Sequence, residues 1–477
     1  MTARNATPAL LAALAMTTAA FAGHALAAEP SNGVYRIPYA NGTDVYVGRD
    51  HVEHGAATTL AIDMNGRNGS DYTIVAAADG WIRYVEEDFS AQIDCTGLPL
   101  SEQKNNYVWI EHANGEWSKY SHMTKDSFTA AGRSLNEFVK AGTPLGKQGA
   151  VGCAGGPHLH FEVAVLRDSD PITTVGGFVK DNAGNQRNRI PRICGIPTPY
   201  FLDNTEYEAR SVPGAVAAGY AEFSKRNIAA ADYQCQVDQA VLGGYQLEFV
   251  DGFNSGSNTY FNAVFRPQGN HLWAAFHGLT KAAFTDRRQE YVGKGFQIKN
   301  LESYHTASGV RYAVIFSKGL PSPVASYVDL GLQQHQDMFN FMTGEGYVPR
   351  NVSVLSVGGE LRYSAIYQKE NANFDFGAWQ SRSTMTSGEY QTVMETNKAA
   401  GRYPVYVNAY IHNGTPMFAA IWSSKALGLF KARHDQSSAQ YHDEWQGAMD
   451  LDMTTRAVTG YVDDGTWRYA GIWRRDP

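Results

Sequence analysis

Beyond its first two dozen residues the chain has no apolar run long enough to cross a bilayer, so no membrane-spanning helix is expected in the mature protein. It has no excess of basic residues. Lys and Arg number 40 against 47 Asp and Glu, a net charge of -7. That balance removes the basic footprint of a nucleic-acid binder and offers no simple attraction to an anionic wall or membrane. Cysteine is scarce, four in 477 residues, and never in C-x-x-C spacing, which argues against a cysteine metal site. There is no H-E-x-x-H helix, so a metallopeptidase glutamate base of that kind is not on offer.

The N-terminus supplies the first positive signal. Arg4 precedes an apolar run from about Pro8 to Ala22, and Ala25-Leu26-Ala27 follows as an A-x-A cleavage pattern. Residues 1–28 therefore read as a secretory signal, placing the mature chain outside the cell or in the periplasm. In that setting an even cysteine count predicts two disulfides. Of the three connectivities, Cys95–Cys153 with Cys194–Cys235 is favoured. The first would tie the Asp94–Lys104 loop to the turn before residue 158, worth about 4 kcal/mol in the chain-entropy view.

Residues from about Ser31 to Leu166 read as short strands broken by Gly and Asn turns, a mainly antiparallel sheet folded over and open on one face. Tyr72–Ala77 and Trp81–Val85 look like a hairpin through Asp79-Gly80. Tyr107–His112 and Glu116–His122 look like a second, through Asn114-Gly115. The run Gly155-Gly156-Pro157-His158-Leu159-His160-Phe161-Glu162-Val163 carries the chemistry. Strand alternation puts His158, His160 and Glu162 on one face and Leu159, Phe161 and Val163 on the other, toward a core. Two imidazoles and a carboxylate suit Zn²⁺ and leave a fourth position for water, so His54, Asp63 and His160 form a candidate ligand set. His122 and His158 then remain as non-ligand groups. His51 competes with His54 by position, and His112 reads as structural. Glu162 reads equally as a partner orienting a histidine or as a surface carboxylate.

The pattern resembles the M23 family of zinc metallopeptidases, the lysostaphin-like and LytM-like enzymes, over residues 29–166. The matching text is His54-Gly55, Ala61-Ile62-Asp63, Val75–Gly80, Tyr107-Val108, Glu111–Gly115, Tyr120–Met123, and Gly142 through Gly149 to Gly155–Glu162. The resemblance implies His54, Asp63 and His160 as ligands of one Zn²⁺ and His122 with His158 as the catalytic pair. His54 and Asp63 are nine residues apart where the shortest family form has four, a spacing that resembles another branch of the family. One histidine of the pair would do the proton work or hold the tetrahedral oxyanion. The sequence does not say which.

Residues 167–225 are rich in Gly, Asn and Pro and read as a domain tail and linker. Nothing before residue 50 is large enough for an inhibitory pro-domain. Residues 226–477 then repeat. Phe261, Tyr312, Tyr363, Phe418 and Tyr469 recur at steps of 51, 51, 55 and 51 residues, and Tyr233, Phe284, His335, Tyr390 and Tyr441 keep the same phase in helix-like stretches. Each unit reads helix, strand, turn, strand, and five such α+β units must stack or close into a ring to bury their apolar faces. The aromatic residues read first as shared core and second as sugar-stacking platforms. His277 and His434 precede their helices and read as structural. The array resembles the bacterial tandem repeat found beside polyglycine hydrolases.

The expected function is a secreted zinc endopeptidase for peptide bonds of bacterial peptidoglycan, its repeats attaching it to a glycan, wall or other surface. The alternatives are an endopeptidase for Gly-rich extracellular protein such as elastin and a non-enzymatic adhesion protein.

Overall fold

The computed structural model describes residues 29–53, 60–69, 71–99, 102–165, 187–196, 200–212 and 219–476. The expected signal segment and His54 lie outside these. No described helix is long and apolar enough to cross a membrane.

The N-terminal half is built on one long sheet. From edge to edge its strands are Thr205–Glu208, Asp44–Arg49, Ile62–Gly66, Leu159–Val165, Glu116–Ser121, Tyr107–Glu111, Gly80–Glu86 and Phe138–Val139. Asn188–Ile193 also pairs with Leu159–Val165, and Pro30–Tyr35 runs parallel to it. The histidine strand is thus interior, with Ile62–Gly66 on one side and Glu116–Ser121 on the other. Its apolar alternates, Leu159, Phe161 and Val163, are fully buried in a core with Ile62, Met64, Val108, Ile110 and Tyr120. Each such side chain contributes about 1.5–3 kcal/mol by leaving water, and a one-residue slip would exchange that core for the histidines.

Three expectations change. Tyr72–Ala77 and Trp81–Val85 do not pair as a hairpin. Thr73–Val75 pairs with Pro144–Lys147, while Gly80–Glu86 pairs with Tyr107–Glu111. Asp79 is no turn residue: its carboxylate accepts from the Ala141 backbone N–H and pairs with Lys140, both at 2.8 Å. The second face is not open along its whole length, since Glu162 is 1% exposed. The sheet also extends beyond residue 166, because Asn188–Ile193 and Thr205–Glu208 belong to it. The Tyr107–Glu111 and Glu116–Ser121 hairpin is formed as expected.

Both favoured disulfides are present. Cys194–Cys235 joins the end of the sheet to the first helix of the C-terminal half, Ala230–Leu242. Two ion pairs flank it, Arg192–Asp238 at 2.6 Å and Arg210–Asp232 at 2.7 Å.

The C-terminal half contains five three-stranded antiparallel sheets, each with one helix. Every unit has a strand ahead of its helix that the sequence did not reveal; in the second unit it is Trp273–Leu279, which pairs with Gly309–Ser317. The two recurring aromatic positions meet inside each unit. Tyr233 packs on Phe261 at 4.2 Å between ring centroids, His335 on Tyr363 at 4.2 Å and Tyr390 on Phe418 at 5.1 Å. All are buried, so they form cores and present no face to a sugar. His277 and His434 pack edge-on against Tyr233 and Tyr390.

The units close into a ring. The Ser303, Val354 and Ala409 N–H groups donate to Ser353, Asn408 and Thr459 of the following unit, and Gly460 N–H donates to Asp251 of the first. Asp251, Glu302, Ser353, Asn408 and Thr459 hold equivalent places on the five inner strands, and all are at most 2% exposed. Ring closure leaves no terminal unit with a bare core face, the usual requirement for capping repeats.

Candidate active site

The chemistry gathers at the N-terminal end of the histidine strand. His160 lies directly across from Asp63 in the register of the two strands and from Ser121 on its other side. Its Nδ1 is 3.2 Å from Asp63 Oδ1, and His158 Nε2 is 3.6 Å from the same oxygen. The His122 ring centroid stands 4.7 Å from that of His158 and 5.9 Å from that of His160. Four of the five residues predicted for the site therefore converge. The fifth, His54, lies outside the described residues.

The loops around this strand fix the rings. His122 follows the Glu116–Ser121 strand and takes a left-handed backbone, φ 65°. Its N–H donates to Asn106 O at 3.0 Å and to Asn105 Oδ1 at 3.2 Å. Asn106 is fully buried and also bonds the Phe89 and Met123 carbonyls. Positive φ in a non-glycine residue is uncommon and persists only where neighbours impose it; here the paired asparagines do so. Gly149 allows the rings to approach. Its carbonyl accepts the His158 N–H at 3.0 Å, and a Cβ on it would meet His122 O at 2.7 Å.

Two backbone carbonyls set the tautomers. His122 Nδ1–H donates to Val151 O at 2.7 Å, and His158 Nδ1–H donates to Gly156 O at 2.8 Å. Each ring then keeps an Nε2 lone pair as an acceptor. Burial, with the neighbouring His160 and His158, pushes the His122 imidazole down to about 3. Burial also lowers His160, against the opposing pull of Asp63. Both are thus neutral at pH 7, the form that ligates a metal or accepts a proton. Asp63 and His158 keep 17% and 15% of their side chains exposed, enough for access from outside.

The donor chemistry fits zinc. Two ligand atoms on tetrahedral arms of 2.0–2.2 Å stand about 3.4 Å apart, close to the 3.2 Å between His160 Nδ1 and Asp63 Oδ1. Among the described residues no three His, Cys, Asp or Glu side chains close on one metal-sized point.

The remaining candidates divide clearly. His112 is buried between Asp79 O and Ser118 Oγ, both at 2.8 Å, and is structural. His51 packs beside Tyr200 at 5.8 Å. Glu162 is neither a surface carboxylate nor a histidine partner: it pairs with Lys119 at 3.1 Å and accepts from Asn188 at 2.9 Å, all buried. Asn105, Asn106, Val151 and Gly156 were missed. The adjacent asparagines were the one available signal, and the sequence reading passed over them. The two carbonyls belong to residues whose side chains carry no information about them.

Residues 58–173 match peptidase family M23. Residues 219–268, 270–319, 321–370, 376–425 and 428–476 each match the polyglycine hydrolase-like structural repeat. A peptidoglycan DD-endopeptidase, ShyC of Vibrio cholerae serotype O1, is 32% identical over 108 residues, 21% of each protein, so the chain spans about a fifth of that relative's length. Among solved structures, the catalytic domain of lysostaphin from Staphylococcus simulans is 19% identical, covering 31% of this chain and 89% of that one at a TM-score of 0.18. A zinc-containing peptidase from Vibrio cholerae is 23% identical, covering 28% and 35% at a TM-score of 0.16. TM-scores this low carry nothing beyond the likeness itself.

Proposed function

We propose that this chain, whose residues 58–173 match peptidase family M23 and whose C-terminal half belongs to the polyglycine hydrolase-like repeat family, is an exported zinc endopeptidase that cuts peptide bonds of bacterial peptidoglycan. The observation that carries this reading is the meeting of Asp63, His122, His158 and His160 at one strand end. Asp63 and His160, with His54 from outside the described residues, would hold the metal. Bound zinc supplies a Lewis acid for the scissile carbonyl and lowers the pKa of its water toward ~7. His122 and His158 each turn Nε2 toward the site, their Nδ1–H groups being held by the Val151 and Gly156 carbonyls. One would take the proton of the attacking water at Nε2 and pass that same proton to the leaving amine, while the other would help position the substrate. The two disulfides suit an oxidising compartment, and the repeat ring is the attachment module.

A cell-wall zymogram tests the reading. Clearing that a zinc chelator abolishes and added zinc restores is the expected result, and mass spectrometry of the released fragments names the bond. Hydrolysis of elastin without clearing of cell walls would move the substrate to Gly-rich protein. Zinc bound with no hydrolysis of either would overturn the enzymatic reading.

A further inference from the structure

The repeat ring has two ends, and one of them is basic. The residues one step before the inner-ring position Phe249 and its equivalents are Glu248, Lys299, Arg350, Val405 and Arg456. With Arg266, Arg474 and the segment Phe374–Phe376 they line a cavity of about 360 Å³. In a protein of net charge -7, this cavity collects six cations: Arg266, Lys299, Arg350, Lys425, Arg456 and Arg474. Carboxylates answer five of them. Glu248 pairs with Lys299 at 2.6 Å, Glu222 with Arg266 at 2.9 Å, and Asp375 with Lys425 at 2.7 Å. Asp476 pairs with both Arg456 and Arg474.

Arg350 has no ion pair among the described residues. Its guanidinium lies over Phe374 at 4.9 Å and Phe376 at 5.0 Å and donates to Gln368 Oε1 at 3.1 Å. Burial, and behind it the repulsion of Arg474, push it down to about 10. Three further buried donors on the same lining have no protein acceptor among the described residues: Asn351 Nδ2, Arg456 Nε and Arg474 Nη1. Asn351 is only 3% exposed. A half-buried cation without a carboxylate partner, beside buried N–H groups left without acceptors, is costly unless something supplies the acceptors.

The wall that holds Arg350 is peculiar to one unit. The third repeat step is four residues longer than the others, and the extra length lies in the loop that carries Phe374, Asp375 and Phe376. That loop is held in place: Phe376 N–H donates to Glu370 at 2.8 Å, and Phe376 O accepts from Ser423 Oγ at 2.6 Å. An insertion that builds an aromatic clamp around an unpaired arginine, at the mouth of an otherwise repetitive ring, has the character of a ligand site.

We propose that this cavity binds an oxyanion group, a carboxylate or a phosphate, with the Arg350 guanidinium as its principal contact and Asn351, Arg456 and Arg474 as supporting donors. The site is independent of the peptidase chemistry and would hold whether or not that reading stands. A carboxylate would come from a free peptide C-terminus, a phosphate from an anionic polymer or a free ion.

Isothermal titration calorimetry on the full chain tests this, with inorganic phosphate and N-acetyl-alanyl-alanine as probes and the dipeptide amide as control. Saturable binding of phosphate or of the dipeptide, but not of the amide, is expected. Arg350→Gln should weaken it at least about tenfold with an unchanged melting temperature, and whichever probe binds names the source. If Arg350→Gln unfolds, Val405→Glu, which puts a carboxylate on the cavity lining in the neighbouring unit, should abolish binding in a folded protein. No saturable binding of either probe, or equal binding by wild type and a folded variant, would overturn the proposal.

Discussion

Histidine serves one purpose in the repeat ring and another at the end of the histidine strand. In the ring, His277, His335 and His434 lie against tyrosines, and burial pushes the first two down to about 4. They behave as flat, neutral core residues. At the end of the histidine strand, His122 and His158 are each gripped at Nδ1 by a backbone carbonyl, which leaves Nε2 turned toward the site. Burial alone does not distinguish a functional imidazole from a structural one. His335 and His434 are also held at one nitrogen, by Tyr327 Oη at 2.7 Å and Ser387 Oγ at 3.1 Å; what sets His122 and His158 apart is that their rings meet at 4.7 Å beside Asp63.

Substitutions can break this comparison at its strongest point first. His158→Ala should keep its zinc and lose roughly 10²–10⁴-fold in activity, whereas His160→Ala should lose the zinc. Metal content and turnover of both purified variants decide this, and equal zinc loss would undo the division of roles. Next in size is the buried Lys119–Glu162 pair beside the site. Lys119→Met strands a buried carboxylate and should cost about 3–5 kcal/mol in urea unfolding, while replacing both residues with leucine should recover most of it.

The third test asks whether the ring's inner carboxylates are as structural as its histidines. Burial raises Asp251 to about 7 and Glu302 well above its usual range, the two being close enough to oppose each other's ionisation. In the folded chain Asp251 holds a proton that the unfolded chain has lost above about pH 4. Its stabilising share is therefore full below pH 4 and falls as pH rises to 7. Thermal melts from pH 4 to 8 should show this decline, and Asp251→Asn should flatten it. The smallest effect is reserved for His277→Phe, which should leave activity intact and cost under about 1.5 kcal/mol.

The candidate site was legible because strand alternation and the spacing of His and Asp survive in the chain as a pattern. What escaped had no such pattern. The Val151 and Gly156 carbonyls act through backbone, so their own side chains are silent. Asp79-Gly80 looked like a hairpin turn because the group Asp79 serves, Ala141 N–H, lies more than sixty residues on. The leading strand of each repeat escaped for another reason. Trp273–Leu279 is partly exposed almost throughout, so no apolar alternation marked it. The repeat step of 55 was noted without a role, although its extra residues form the wall around Arg350.

The Cys194–Cys235 bridge has a mechanical meaning. A catalytic domain on a loose leash samples a sphere, and its effective concentration at any one bond falls with leash length. Here the leash is riveted to the ring within a few residues of the sheet's edge. If the ring anchors the chain as proposed above, the blade has a short arm and a fixed bearing. It would cut within a small patch around each anchorage, and progress across a surface would require letting go. How far the enzyme travels would then be governed by the ring's off-rate rather than by its turnover at the metal.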